Sequence, residues 1–323
     1  MKNYGHAGNT FNKYGRMEMK EKDFLRKMLP RFRQGTEIAV GPGDDCAVID
    51  VGKKDYLLFA VDQLVANVHF AMKDCTPESA GKKLLKRNLS DIAAMGGLPS
   101  FALLTVAAKF ADKVIDARWL DKFFAGIEAE AEQWGVSICG GDISSTRKGD
   151  AVFTLSIAGR VEKKKLCLRS GAQNADILFC TGRFGNSYKS GHHIAFVPRI
   201  REARFLAGDY TNTMIDVSDG LLSDAAQLSS MSGCGIRLDA GKIPMRKGAD
   251  LQMAQGEGED YELLFAASPR KALKLKKKWP FKDVSLTEIG VFSSGVRAGK
   301  IFDGKNDLVK KISPGYDHFT TKK

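Results

Sequence analysis

The sequence predicts an α/β or α+β protein in two halves. Strand-length apolar runs alternate with helix-length amphipathic ones, and the alternation occurs twice along the chain. The 323 residues suffice for two ordinary cores. A lysine run, Lys163-Lys164-Lys165, marks the boundary between an N-terminal domain over 21–163 and a C-terminal one over 164–323.

Residues 1–20 are polar and aperiodic, which predicts a mobile tail. Asp23 to Phe32 has a helical pattern, with Phe24, Leu25, Met28 and Leu29 on one side. Gly41-Pro42-Gly43-Asp44-Asp45 makes a tight turn that leads into apolar Cys46-Ala47-Val48. Asp55 to Val61 reads as a buried strand ending in Asp62. Thr76 is a good N-cap and Pro77 a good first helical residue. That helix runs to Met95 and stops at Gly96-Gly97. Its apolar face is Ala80, Leu84, Leu85, Leu89 and Ile92, with Asn88 and Asp91 projecting together. Phe101 to Ala108 is a strand, and Trp119 to Trp134 is an amphipathic helix ended by Gly135. A short strand, Val136 to Cys139, runs into Gly140-Gly141-Asp142, and Phe153 to Val161 alternates as a strand.

The second half opens with Arg169-Ser170-Gly171-Ala172. A strand over Ile177 to Cys180 precedes a glycine turn, Thr181 to Ser187. Met214 to Val217 is a strand end, from which Ser218-Asp219-Gly220 opens a helix through Leu228. Gly256 to Asp260 precedes a strand over Tyr261 to Ala266, and the chain closes with Pro314-Gly315-Tyr316-Asp317-His318-Phe319.

Composition excludes several classes. No apolar run is long enough to span a bilayer, and the N-terminus lacks the apolar core of a signal peptide. Six dispersed cysteines without a C-x-x-C pair predict free thiols in a reducing cytoplasm. The net charge of +12 admits nucleic acid or an anionic small substrate. Much of it lies in two lysine runs without interleaved aromatic residues, so these read as solvated surfaces, with neither nucleic acid nor membrane as partner.

The chemistry lies in the acids. Asp44, Asp45, Asp62, Asp142, Asp216 and Asp219 end strands or sit in glycine turns, and Asp91 lies beside a buried stripe. One such aspartate is ordinarily a cap or turn former. Seven in one basic chain, beyond strand ends where ligands bind, suggest a hard cation and a nucleotide. Ser218 and Asp219 either cap a helix or face a phosphate at its N-terminus. There is no P-loop, dinucleotide fingerprint, kinase catalytic loop or nucleophile elbow. Adjacent His192 and His193 splay apart and make a poor metal pair.

In order along the chain stand G-P-G-D-D-C-A-V, V-D-Q-L-V-A-N-V-H-F, N-L-S-D-I-A-A-M-G, G-G-D, R-S-G-A, I-D-V-S-D-G-L, G-E-D-Y-E-L and G-Y-D-H-F. Together they resemble the thiamine-monophosphate kinases, of the aminoimidazole ribonucleotide synthetase superfamily, from about residue 22 onward. The resemblance implies two α/β domains, N-terminal sheets pairing across a homodimer, and in-line transfer from ATP to thiamine monophosphate. It implies several Mg²⁺ ions held by Asp45, Asp62, Asp91, Asp142, Asp216 and Asp219. It places Asp44, Asp142, Arg169, Ser218, Gly140 and Gly141 at ATP, and His69, Asp62, Glu259 and Tyr316 at thiamine phosphate. No general base is expected. Another ATP-dependent enzyme of that superfamily, or a non-catalytic binder of the same ligands, remains compatible with the residues. Against the family pattern, Ala60-Val61 replace hydroxyl residues, Asn186 replaces an acid, the 187–198 stretch is short, and Tyr316 replaces Trp.

Overall fold

The computed structural model describes residues 21–52, 54–110 and 114–310. Helix α1 (Glu21–Met28) and the 3-10 turn Leu29–Arg31 belong to one unit. The described residues from Gly35 onward form a second, compact unit that carries both sheets.

In the N-terminal half come β1 (Ile38–Val40), β2 (Ala47–Asp50), β3 (Asp55–Val65), α2 (Pro77–Ala94), β4 (Leu98–Ala108), α3 (Ala117–Trp134), β5 (Ser137–Ser145) and β6 (Val152–Glu162). The strands form a sheet ordered β1-β2-β3-β6-β4-β5, antiparallel except for the parallel pair β4 and β5. The Thr76 hydroxyl caps α2 by accepting the Ser79 amide, and Pro77 follows where no amide is needed. Asp116 caps α3 likewise, and Gly135, left-handed at φ 67°, ends it.

In the C-terminal half come β7 (Ile177–Thr181), α4 (His192–Ala195), α5 (Ile200–Leu206), β8 (Thr213–Asp216), α6 (Leu221–Met231), β9 (Gly235–Leu238), α7 (Leu251–Gly256), β10 (Leu263–Ala267), α8 (Pro269–Lys278), β11 (Leu286–Ser293), β12 (Ile301–Asp303) and β13 (Asn306–Asp307). Their sheet runs β13-β12-β9-β11-β7-β10-β8, with only β12 and β9 parallel. β10 is buried along its whole length and β7 from Leu178 onward, so they read as continuous apolar runs rather than alternating ones.

The core does not divide where the sheets do. Leu84, Leu89 and Ile92 of α2 belong to one buried cluster with Phe179, Met214 and Phe265. A second cluster, around Leu178, Phe184, Leu222, Ile236 and Phe292, fills the outer side of the C-terminal sheet. Helix α2 is therefore packed against both halves, and its polar residues are delivered to the seam between them.

Two predicted strand ends move. β3 continues past Asp62 to Val65, and β5 continues through Gly140-Gly141-Asp142 to Ser145. The pairing of β5 with β4 slips between Ala102 and Leu103, leaving Cys139 as a bulge and both glycines paired in the ladder. A Cβ on Gly141 would lie 1.7 Å from the Leu104 carbonyl oxygen. The strand approaches β4 too closely for any other residue there.

Candidate active site

The Gly43-Asp44-Asp45 turn is held from the other half of the chain. The Arg169 amide donates to Asp44 Oδ1 at 2.6 Å, and its guanidinium reaches Asp45 Oδ1 at 2.7 Å. The same guanidinium donates to Gln227 Oε1 at 2.7 Å on α6. Asp91, in the last turn of α2, and Asp216, the last residue of β8, complete a cluster with Asp45. One carboxylate oxygen from each lies within 4.8 Å of the others. The Ser90 hydroxyl donates to Asp216 Oδ2 at 2.5 Å.

Three acids at that separation are under-neutralised, although Arg169 bonds Asp45 and Arg87 lies near enough to oppose the shift at Asp91. Burial, then the charges of Asp216, Asp62 and Asp45, raise Asp91 well above the usual carboxylate range. Asp216 is pushed up to about 7 by burial and by Asp45, against the Ser90 bond. Burial also raises Asp44, although the Arg169 amide opposes it. A hard, oxygen-preferring dication would reverse these shifts, so the donor set fits Mg²⁺.

A second group adjoins the first. Arg87 grips Asp62 with two bonds, Nε to Oδ2 at 2.7 Å and Nη2 to Oδ1 at 2.9 Å. Lys83, fully buried, donates to Glu259 Oε2 at 2.5 Å and to the His69 carbonyl at 2.6 Å. His69 Nδ1 accepts the Val65 amide at 2.9 Å. Glu259 is left-handed at φ 54°, and its amide donates to the Ser218 carbonyl at 2.8 Å.

Comparisons with known proteins place the chain in a family. The family model described as AIR synthase related protein, N-terminal domain, matches residues 43–161. A thiamine-monophosphate kinase of Buchnera aphidicola subsp. Schizaphis graminum is 30% identical over 94% of this chain and all of its own. That of Escherichia coli strain K12 is 32% identical over 88% of this chain and 93% of its own. This chain belongs to the thiamine-monophosphate kinase family. The solved structure of AaThiL complexed with AMPPCP and TMP superposes with a TM-score of 0.78 at 25% identity, covering 96% of this chain and 100% of that one.

Of the thiamine-monophosphate kinase motifs, those of Asp45, Asp91 and Asp216 converge on one point, with Asp62 near enough to perturb two of the three. Arg169 and Asp44 sit at the same place. Asp142 lies on the exposed edge strand β5, takes a bond from the Ser144 hydroxyl at 3.2 Å, and is not in the cluster. Ser218 and Asp219 precede α6, whose N-cap is Gly220 with no side-chain cap bond, so neither serves as the cap. Instead the Asp219 amide donates to Asp224 Oδ2 at 3.1 Å. Tyr316 lies outside the described residues.

Where this chain departs from the thiamine-monophosphate kinase pattern, local reasons are visible. Asn186 is left-handed at φ 56°, a conformation that asparagine tolerates, and its amide donates to the Lys247 carbonyl. His192 and His193 do splay apart, the first to the Asp260 carbonyl and the second to the Ser187 carbonyl. Asn88 is buried; its side-chain amide donates to the Leu84 carbonyl within the helix, and its Oδ1 has no hydrogen-bond partner among the described residues. Lys83, Arg87 and Ser90 were not legible as site residues. Their spacing of four and three, ending beside Asp91, was the available signal, because it places polar groups on one face of a helix otherwise read by its apolar stripe.

Proposed function

We propose that this site transfers the terminal phosphoryl group of ATP to the phosphate of thiamine monophosphate, giving thiamine diphosphate and ADP. The observation that carries the reading is the Asp45, Asp91 and Asp216 cluster facing Arg169. The acceptor phosphate is already ionised at neutral pH, so no side chain has to remove a proton. What the chain must supply is alignment and charge balance. Mg²⁺ held by Asp45, Asp91 and Asp216 would supply the positive charge that offsets the phosphates.

Asp45, Asp91 and Asp216 are assigned to the metals, with Asp62, Asp142 and Asp219 joining them by motif position. Arg169 and Asp44, with Ser218, Asp142, Gly140 and Gly141, are assigned to the ATP side. The positive Arg169 beside the acids favours a polyphosphate there. Asp62, His69 and Glu259 are assigned to the acceptor, with Tyr316 joining them by motif position. The 21–163 and 164–323 halves act as two domains meeting at this seam. The protein works as a homodimer in the cytoplasm; among the described residues no helix is long and apolar enough to cross a membrane.

The test is a coupled assay of ADP release with thiamine monophosphate, ATP and Mg²⁺. Turnover that needs all three is expected. ADP release indifferent to thiamine monophosphate, but elicited by another small acceptor, would overturn the assignment.

A further inference from the structure

Helix α2 carries a lysine whose burial nothing in the phosphotransfer step explains. Lys83 is 0% exposed, and a buried ammonium is costly unless it is fully partnered. Its partners are a carboxylate and a carbonyl from different parts of the chain, Glu259 Oε2 at 2.5 Å and the His69 oxygen at 2.6 Å. One turn later Arg87 binds Asp62 bidentately, and its Nη1 lies 3.7 Å from Glu259 Oε1. Glu259 is held at its other end as well, by the left-handed backbone at φ 54° and the bond to Ser218. The residues assigned to the acceptor are thus gripped by consecutive turns of a single helix that is packed into both halves.

We propose that Lys83 is a positioning residue for the acceptor, holding the Glu259 carboxylate and the His69 main chain where thiamine monophosphate binds. The proposal rests on the phosphotransfer reading given above. Lys83 acts through Glu259 and His69; its ammonium is enclosed between them, so the substrate is met by the groups that it orients. Removal of Lys83 leaves the Glu259 carboxylate to the longer Arg87 contact and loosens the 65–70 turn, while the ATP side, held by Arg169 and Asp44, keeps its contacts.

The experiment is a kinetic cycle with Lys83→Met, Glu259→Gln and the double variant, alongside the wild type. Lys83→Met is expected to raise KM for thiamine monophosphate on the order of ten-fold, with KM for ATP changed less than about two-fold. In the Glu259→Gln background, the lysine substitution should add less than about three-fold, because the group that it positions has gone. The double variant leaves no unpaired buried charge, so it also serves if Lys83→Met alone does not fold. Equal rises in both Michaelis constants, or effects that multiply in full across the cycle, would overturn the positioning role. Absence of wild-type turnover with thiamine monophosphate would instead overturn the functional reading, and this role with it.

Discussion

Three carboxylates within 4.8 Å store repulsion until a cation joins them. In the metal-free chain Asp91 and Asp216 keep their protons above the usual aspartate value, Asp216 up to about 7. The folded state therefore binds more protons than the unfolded one over that interval. The stability contributed by the pair is fully present below an ordinary aspartate pKa of about 3.9, and is lost as pH rises through the folded value. Metal-free protein should accordingly melt lower at about pH 8 than at about pH 5.5, and Mg²⁺ should recover much of the difference. Asp216→Asn should flatten the dependence; a slope identical to that of the wild type in scanning calorimetry would contradict it. For turnover, Asp45→Asn should cost roughly 100-fold or more with an unchanged circular dichroism spectrum. An unaltered rate would remove Asp45 from the metal site. Tyr316→Ala should raise the thiamine monophosphate KM several-fold and spare that of ATP, since a tyrosine–thiazolium contact is worth roughly 0.5–2 kcal/mol. A lower melting temperature with an unchanged KM would assign the ring to packing. At this scale the turn and strand-end signal was informative for Asp45 and Asp216, but the same signal at Asp142 points to a residue outside the cluster. The sequence was silent on partners fixed by folding alone: Ser90 and Asp216 are 126 residues apart, and Lys83 and Glu259 are 176 apart.

Elements were legible in proportion to their punctuation. Helix α2 announces itself by Thr76, Pro77 and Gly96, and α3 by its period and Gly135. The short helices α4, α5 and α7 span four to seven residues and carry too few turns to show a period. The lysines of α8 lie on a surface, as expected, with Ala272 and Leu275 turned inward. Strand β5 shows the limit of reading glycine as punctuation. Gly140-Gly141 has the form of a turn, yet the chain stays extended: a bulge at Cys139 takes up the extra residue, both glycines pair with β4, and only glycine allows β5 to lie so near it. Gly141→Ala drives a methyl group against the Leu104 carbonyl and forces the edge strand outward. The expected cost is roughly 1–3 kcal/mol, measured by denaturant unfolding. A variant as stable as the wild type would show that β5 is not held in this register.

For the whole molecule, the sequence announced alternating strands and helices in two halves, and the structure has a sheet in each. The shared core was not foreseeable, because a stripe such as Leu84, Leu89 and Ile92 declares that it is buried without declaring against what. The same limit applies to the outer face of the N-terminal sheet. β4 is an interior strand, paired with β6 on one side and β5 on the other, so its backbone needs no further partner. Its side chains do. Ala102 and Leu104 are 1% and 4% exposed, whereas Leu103 between them is 51% exposed. Phe59 and Val61 of β3 and Phe101 of β4 are also exposed, and the register through Ala158 and Ser156 of β6 sets them on the same face as Leu103. Large apolar side chains grouped on one sheet rather than scattered singly call for a cover, and a second copy of the same face can supply it. A homodimer is therefore expected by light scattering at micromolar concentration. Leu103→Lys should halve the mass by placing a charge on that face. Leu103 is half exposed and is not one of the clustered acids or their hydrogen-bond partners, so the variant should keep its fold. A monomeric wild type, or a variant that stays dimeric, would show that this face is not where two copies meet.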